Sequence, residues 1–297
     1  MWLQIVTYIS FIFIIVASFI KVRRIAGKPL HLRWELYPVP HEKGREHGGS
    51  YLEKLDWWAK PRRRSFLGML TYMMREGLFF EKCYRNNRGL WYFTYPFHIG
   101  LFLLGGWLFL LFVGAMAMIF GVSESLLWIT AVHYLTLGAG AAGFALSTIG
   151  SIGLLIKRAI DQNLRLYSSP ADYFNLTFIL AIVLSGLSSW YFFDPRFAYA
   201  REFMKSLITF GPAPTNPAMT IGIILLSLFL IYMPFTHMMH WLTKYFTYHR
   251  VCWDDAPNLG GGNIQDKVEE LLNQPVTWSA PHIQPGKKWK EVISGCS

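Results

Sequence analysis

Charge is what this sequence has least of. Only 15% of its 297 residues are Asp, Glu, Lys or Arg, while 53% are hydrophobic; ordinary soluble domains carry about 25% charged residues. So little charge cannot clothe a water-soluble globule of this length. It also excludes a disordered chain, which needs the reverse balance. Cysteine is scarce as well. Cys83, Cys252 and Cys296 are the three present, and none forms a C-x-x-C pair. That removes the iron–sulfur, zinc and covalent-haem spacings and a disulfide-stapled secreted fold. Acidic residues are outnumbered 18 to 28, which leaves a net charge of +10. On a soluble protein that surplus would read as a nucleic-acid footprint. Here its distribution decides.

What is present in abundance is apolar sequence. Five stretches, roughly 2–20, 95–120, 126–156, 173–193 and 218–242, are long enough to cross a bilayer, which takes about 20 apolar residues per helix. The first lacks the basic start and small-residue cleavage site of a secretory signal, so it is expected to remain as an anchor helix. Between the first two stretches lie 16 Lys and Arg, with 3 more in the 157–170 loop and 6 from Lys244 onward. The opposite side has only Arg196, Arg201 and Lys205. By the positive-inside bias, this predicts an all-α, integral membrane bundle of five transmembrane helices, N-terminus outside and C-terminus cytoplasmic. The basic surplus is an orientation signal, and no nucleic-acid partner is expected.

The expected organisation follows. Residues 1–20 form the first span, 21–94 a cytoplasmic loop, 95–243 the core of spans two to five, and 244–297 a cytoplasmic tail. Within the loop, Phe66–Lys82 mixes apolar residues with Arg75, Glu76, Glu81 and Lys82, which suggests a helix lying at the interface. In the tail, Gly260-Gly261-Gly262 makes a hinge, and Asn263 with Asp266 three residues on suggests a capped short helix. Trp278 and Trp289 in a free tail would leave sticky surface exposed, so the tail is expected to dock a protein partner.

Several chemistries are missing from the spans. None carries an acidic or basic residue well inside its limits, and no inverted repeat is evident, which lowers the odds of an ion-coupled transporter. Gly138-Ala139-Gly140-Ala141-Ala142-Gly143 fits G-x-G-x-x-G literally. It lies inside an apolar helix rather than after a strand, so a dinucleotide site fails its context. Small residues there admit a neighbouring helix, or a flat cofactor, at close range.

Histidine is the ionisable residue that does enter the spans, at His98, His133, His237 and His240. Imidazole is costly in hydrocarbon unless its nitrogens are satisfied, so each is a functional candidate. Each also has a plain alternative, a hydrogen bond to a helix carbonyl or hydroxyl. Haem iron is a common membrane client of neutral imidazole, and the porphyrin buries its apolar body among aromatic side chains. His98 is about 5 Å into the second span and His240 is near the inner end of the fifth, so a haem on the cytoplasmic side has one His from each. His133 sits about 10 Å from the outer start of the third span and cannot share that haem. His237 is offset by about 60° from His240 around the helix, so both cannot bind one iron. It suits a haem propionate or a helix end. Pro234 is expected to bend the fifth span just before the pair.

Phe97-His98-Ile99-Gly100 and Pro234-Phe235-Thr236-His237-Met238-Met239-His240 resemble the gamma subunit of respiratory nitrate reductase, a five-helix di-haem b quinol oxidase. The flanking Leu32-Arg33-Trp34-Glu35-Leu36-Tyr37-Pro38-Val39-Pro40-His41-Glu42, Tyr245-Phe246-Thr247-Tyr248-His249-Arg250 and Pro275-Val276-Thr277-Trp278-Ser279-Ala280-Pro281-His282-Ile283 look like the DsrM/HmeC type. These are the cytochrome b subunits of the sulfite-reductase-associated membrane complex of sulfur-metabolising prokaryotes. The resemblance implies haem b and menaquinone as cofactors. As partners it implies a cytoplasmic heterodisulfide-reductase-like iron–sulfur subunit and further membrane and extracytoplasmic redox subunits. It carries His98 and His240 over as ligands of the cytoplasmic-side haem. One departure stands out: the positions that hold the outer haem's ligands in the nitrate reductase subunit are Leu108 and Gly222 here. An outer haem, if one is bound, falls to His133.

The expected function is electron transfer between menaquinol and the iron–sulfur subunit. Tyr134, Trp128, Arg196, Arg201 and Lys205 are candidates to meet the quinol near the outer side. The alternative is a haem-free membrane anchor for a cytoplasmic redox complex.

Overall fold

The structure is a computed structural model that describes residues 1–27, 55, 65–244, 261–281 and 283–294. In chain order its helices are α1 (Trp2–Ala26), α2 (Phe66–Met74), α3 (Glu81–Asn86), α4 (Arg88–Ile119), α5 (Leu127–Ile160), α6 (Gln162–Leu166), α7 (Pro170–Ser188), α8 (Ala198–Thr209), α9 (Pro217–Tyr232), α10 (His240–Lys244), α11 (Asn263–Leu272) and α12 (Trp289–Ser294). Five helical segments, Trp2–Ala26, Arg88–Ile119, Leu127–Ile160, Pro170–Phe193 and Pro217–Phe235, are long and apolar enough to cross a membrane. The fold class is therefore all-α, as expected, with five candidate spans. The chain divides into two compact units: Met1–Ala17 with Met74–Thr236, and Ser18–Met73 with His237–Ser297.

In the first unit the bundle is assembled in chain order, α4 on α5, α5 on α7 and α7 on α9. The α4–α5 seam is the tightest. Along α5, Gly140, Gly143, Ser147, Gly150 and Gly153 are buried at helical spacing. A Cβ on Gly150 would lie 2.5 Å from the Phe97 backbone nitrogen, and one on Gly143 3.0 Å from the Leu104 side chain. One on Gly100 would strike Ser147, and one on Gly153 the Phe93 ring. The two backbones approach until only small residues fit between them, which is how helices gain contact where lipid removes the hydrophobic drive. This accounts for the glycine-rich run: Gly140 and Gly143 receive side chains of α4 and Phe197, whereas Gly138 meets nothing within 4 Å. The close neighbour is a helix.

Further along, aromatic rings fill the gaps. Phe144 covers Gly186 of α7, and α7 meets α9 through Phe178 on Phe229 (5.5 Å) and Phe174 on Tyr232 (5.6 Å). The Tyr232 hydroxyl donates to Asn175 Oδ1 (2.9 Å), which satisfies a phenol inside the apolar layer.

One end of this unit is closed by α8. Its first turn is capped by buried Asp194, whose carboxylate accepts from the Ala198 and Ala200 amides (2.6 and 3.1 Å). Its last turn leaves carbonyls without helical donors, and α1 supplies them. Gln4 Nε2 donates to Ser206 O (3.1 Å) and to Gly211 O (2.9 Å), and the Tyr8 hydroxyl donates to Leu207 O. The start of α1 and α8 therefore share one face of the bundle, and α6, joining α5 to α7, marks the opposite one.

Two segments differ from expectation. The fifth span does not run helically to residue 242. It stops at Tyr232, passes through a 3-10 turn at Met233–Phe235 and another at His237–Met239, and resumes as α10. Pro234 has no amide to donate and its ring crowds the carbonyl four residues back, so the helix breaks rather than bends. The Phe66–Lys82 helix is also interrupted, by a π turn at Arg75–Phe79 and by Phe80 in the left-handed region (φ 53°).

In the second unit the tail helix α11 is present, but Gly262 is its cap residue and Asn263 already lies inside the helix. Gln265 Oε1 accepts from the Gly261 amide at that turn (2.6 Å), and Gly261 has φ 75°. Trp278 and Trp289 pack on one another at 6.2 Å. Val276 and Ile283 are buried beside them in the tail sequence. Cys252, Tyr245–Arg250 and the Leu32–Glu42 motif lie outside the described residues.

The α4–α5 seam makes a direct prediction. Gly150→Ala pushes a methyl into the Phe97 backbone and lowers stability by about 1–3 kcal/mol, the usual cost of overpacking. Gly138→Ala, which meets open space, is neutral or slightly stabilising. Thermal unfolding of both variants in detergent checks the contrast.

Candidate functional site

His98 lies on α4 about three turns from its start. Its ring is fixed by its own helix: Nδ1 is 2.8 Å from Thr94 O. A carbonyl only accepts, so Nδ1 carries the hydrogen and Nε2 the lone pair. This is the arrangement of metal-ligating histidines, whose second nitrogen is held by a carbonyl or carboxylate. The ring is flanked by Phe97 (5.0 Å, edge-on) and Phe80 (4.6 Å, tilted).

The stripe of α4 that holds His98 continues through Phe102, Gly105, Phe109 and Phe112 at helical spacing. The three Phe are 48%, 65% and 44% exposed, and a Cβ on Gly105 would meet nothing within 4 Å. This stripe is about a quarter turn from the α5 seam formed by Phe97, Gly100 and Leu104. It offers an apolar wall with a missing side chain two turns from the imidazole, a surface a flat macrocycle fits.

His240 opens α10 in the second unit, and its ring is held in the same way: Nδ1 is 3.3 Å from His237 O. The bond is longer than at His98, but again it leaves the lone pair on Nε2. His237 is thus connected to His240 through its backbone carbonyl, while its side chain is exposed. The 3-10 turn caused by Pro234 places that carbonyl. Among the described residues no three or more His, Cys, Asp or Glu gather to hold a bare metal ion. Haem differs in needing only axial ligands, because the porphyrin brings its own four nitrogens.

His133 sits elsewhere and is built differently. It is half-buried on α5, no hydrogen bond among the described residues fixes its ring, and it lies near enough to Arg201 of α8 for that charge to act on it. Arg201 is only 9% exposed, and its Nε is buried with no acceptor among the described residues. Burial holds this guanidinium below its ordinary value, and Asp194, Glu124 and Glu202 oppose that without forming an ion pair. Of the other outer-side candidates, Tyr134, Trp128 and Arg196 are exposed, and Lys205 pairs with Glu202 at 3.6 Å.

Sequence reasoning missed Phe80 and Glu76. Phe80 adopts a left-handed backbone that costs a bulky L-residue about 1–2 kcal/mol, and the turn places its ring against His98. Glu76 is buried, and its Oε1 accepts from the Lys82 amide (3.2 Å), which ties the π turn to α3. Trp91 Nε1 donates to Phe79 O (2.8 Å) and anchors the same turn to α4. Burial and the nearby Glu76 carboxylate push the Cys83 thiol up, so it is a poor nucleophile. The only sequence signal was two adjacent Phe between charged residues, which says nothing of a left-handed turn.

No curated protein matches the chain. A family model described as the nitrate reductase gamma subunit matches residues 83–253, more than half of it, and the match spans α4 to α10, both ring-fixed histidines included. That family comprises haem-binding membrane cytochrome b subunits of redox complexes. Five apolar spans and this match together make the chain an integral, multi-pass membrane protein and a member of the nitrate reductase gamma subunit family.

Proposed function

We propose that the protein is the haem b subunit of a respiratory complex. In this reading it exchanges electrons between menaquinol and a cytoplasmic heterodisulfide-reductase-like iron–sulfur subunit of dissimilatory sulfur metabolism. The observation that carries the reading is the shared treatment of His98 and His240. Each has its Nδ1 against a backbone carbonyl of its own segment, so each presents Nε2 as a ligand.

His98 and His240 would hold one haem b on the cytoplasmic side, each through its Nε2. The haem supplies reversible one-electron chemistry when bound. The chain's own residues do the rest. The Thr94 and His237 carbonyls set the imidazole orientations and fix which ring nitrogen carries the hydrogen. The ring of Phe80 shields His98, and the apolar stripe of α4 would keep water from a bound haem. The basic loops put the α6 face in the cytoplasm, so quinol oxidised near α8 releases its protons outside while its electrons move inward, and that separation couples the chemistry to the membrane potential. The DsrM/HmeC-like motifs in the loop and tail support the sulfur-metabolism assignment, and the paired Trp278 and Trp289 offer the tail a surface for the iron–sulfur subunit.

The purified protein reduced with dithionite is expected to show the alpha band of low-spin haem b; a spectrum without one supports the haem-free anchor instead. His98→Ala and His240→Ala each remove that component. His237→Ala keeps it, because the carbonyl that orients His240 is unchanged. A haem-to-protein ratio near one fits this ligand set, and a ratio near two with loss of one haem in His133→Ala assigns an outer haem to that residue. Phe80→Ala keeps the haem but frees the His98 ring, which is read as broadened low-spin resonances of the oxidised protein in electron paramagnetic resonance.

A further inference from the structure

The chain that leads into α4 presents a surface that the haem reading leaves unused. Its backbone is firmly held within the first unit. Trp91 Nε1 of α4 donates to Phe79 O (2.8 Å), and Glu76 Oε1 accepts from the Lys82 amide (3.2 Å). The π turn Arg75–Phe79 is thus tied to both α3 and α4, and left-handed Phe80 makes the corner between the turn and α3. The two adjacent phenylalanines serve different sides. Phe80 packs on His98 (4.6 Å), whereas Phe79 is 56% exposed.

The neighbours of this turn mark its depth. Tyr84 meets Trp91 edge-on (5.1 Å), Trp91 stacks on Tyr95 (4.7 Å), and exposed Tyr92 stands beside them. Tyr and Trp gather at the head-group level of a bilayer, where one end of the ring is wet and the other apolar. The bond from Trp91 therefore fixes the π turn at that level, at the end of the bundle where Lys157 of α5 lies over Gly89 of α4.

Two kinds of side chain are exposed there. Met74, Leu78 and Phe79 form an apolar edge. Arg75, Lys82 and Arg88 are exposed cations. The acidic residues of the segment do not offset them: Glu76 is buried against the Lys82 amide, and Glu81 is committed to Arg85. Arg88 lies over the Tyr84 ring (4.7 Å), which holds its guanidinium at the aromatic level. Any basic loop supplies cations. Here they alternate with apolar side chains on a fixed backbone, at the depth where phosphate and acyl chain meet.

We propose that residues 74–88 form a docking surface for anionic phospholipid. Met74, Leu78 and Phe79 enter the acyl boundary, while Arg75, Lys82 and Arg88 meet lipid phosphates. Apolar burial and attraction to anionic lipid together hold such interfacial segments on a membrane. A zwitterionic head group brings an ammonium that opposes the same cations, so the surface selects lipids of net negative charge. Direct continuity with a membrane span, and the aromatic level at which Trp91 holds the turn, favour lipid over a protein partner. The surface is independent of the proposed function, since it needs neither haem nor quinol.

The test is hydrogen–deuterium exchange of the full chain in nanodiscs, read by mass spectrometry on peptides covering residues 74–88. One set of discs is phosphatidylcholine, and in the other a third of the lipid is phosphatidylglycerol. Exchange of these amides is expected to slow at least about tenfold in the anionic discs. The double variant Arg75→Gln, Arg88→Gln is expected to exchange alike in both. It should melt as the parent does in phosphatidylcholine, because both side chains are exposed. Lys287→Gln with Lys288→Gln, which removes the same charge from exposed tail positions, is expected to keep the parent's difference. Three results overturn the proposal. The first is equal exchange of the parent in both discs, which leaves the surface to a protein partner or to lipid of any charge. The second is a lipid difference that survives in the double arginine variant. The third is its loss in the tail variant as well, which makes it a response to net charge alone. The readout is the backbone, so a protein that binds no haem fails the proposed function and still answers this test.

Discussion

The close approach of α4 and α5 governs the first unit. Glycines at 100, 143, 150 and 153 allow the two backbones to meet, and that commits one face of α4 to protein contact along most of its length. His98, one residue on from Phe97, is turned by about a quarter circle from that seam. The face of α4 that carries His98 is therefore set by which side the glycines bury. The same seam covers Gly140 and Gly143 of the G-x-G-x-x-G run with side chains of α4 and Phe197.

A second constraint is the fate of backbone groups at helix ends inside an apolar layer. The end of α8 is satisfied by Gln4 and Tyr8 of α1, the start of α8 by Asp194, and the start of α9 by Asn216, whose Oδ1 accepts from the Met219 amide at 2.8 Å. Asn216 also donates through Nδ2 to the Ser189 hydroxyl (3.0 Å), linking α9 to the π turn Ser189–Phe193 that follows α7. These side chains hold the segment around Arg201 in place. The same need recurs after Pro234: the break in the fifth span frees the His237 carbonyl that then orients His240.

Five spans were legible because each is a long apolar run, although the first ends six residues later than expected and the second begins seven residues earlier. The fifth is the exception. Pro234 was seen, but a single sequence does not distinguish a bend from a break followed by two 3-10 turns. The candidate histidines were legible too, because no Asp, Glu, Lys or Arg lies well inside the spans. Their differences were not. The Nδ1 bonds of His98 and His240, and the lack of one at His133, depend on where carbonyls and neighbouring helices lie. Phe80 was invisible for a similar reason, since its role rests on a left-handed backbone that no propensity favours in a Phe. Asn263 failed as a cap because Gly261 and Gly262 make the turn themselves, one residue earlier. Arg201 was one of three basic candidates to meet the quinol, alike in the sequence, and only the missing Cβ at Gly114 shows that its side chain lies against a helix.

The central claim is that two imidazoles, from His98 and His240, hold one iron. Near-infrared magnetic circular dichroism of the oxidised, purified protein tests it most directly, because the ligand-to-metal charge-transfer band reports both axial ligands of a low-spin ferric haem. The account predicts the band position of bis-imidazole coordination, lost when either histidine is replaced by Ala. A band characteristic of imidazole with methionine, or a wholly high-spin spectrum, would contradict it.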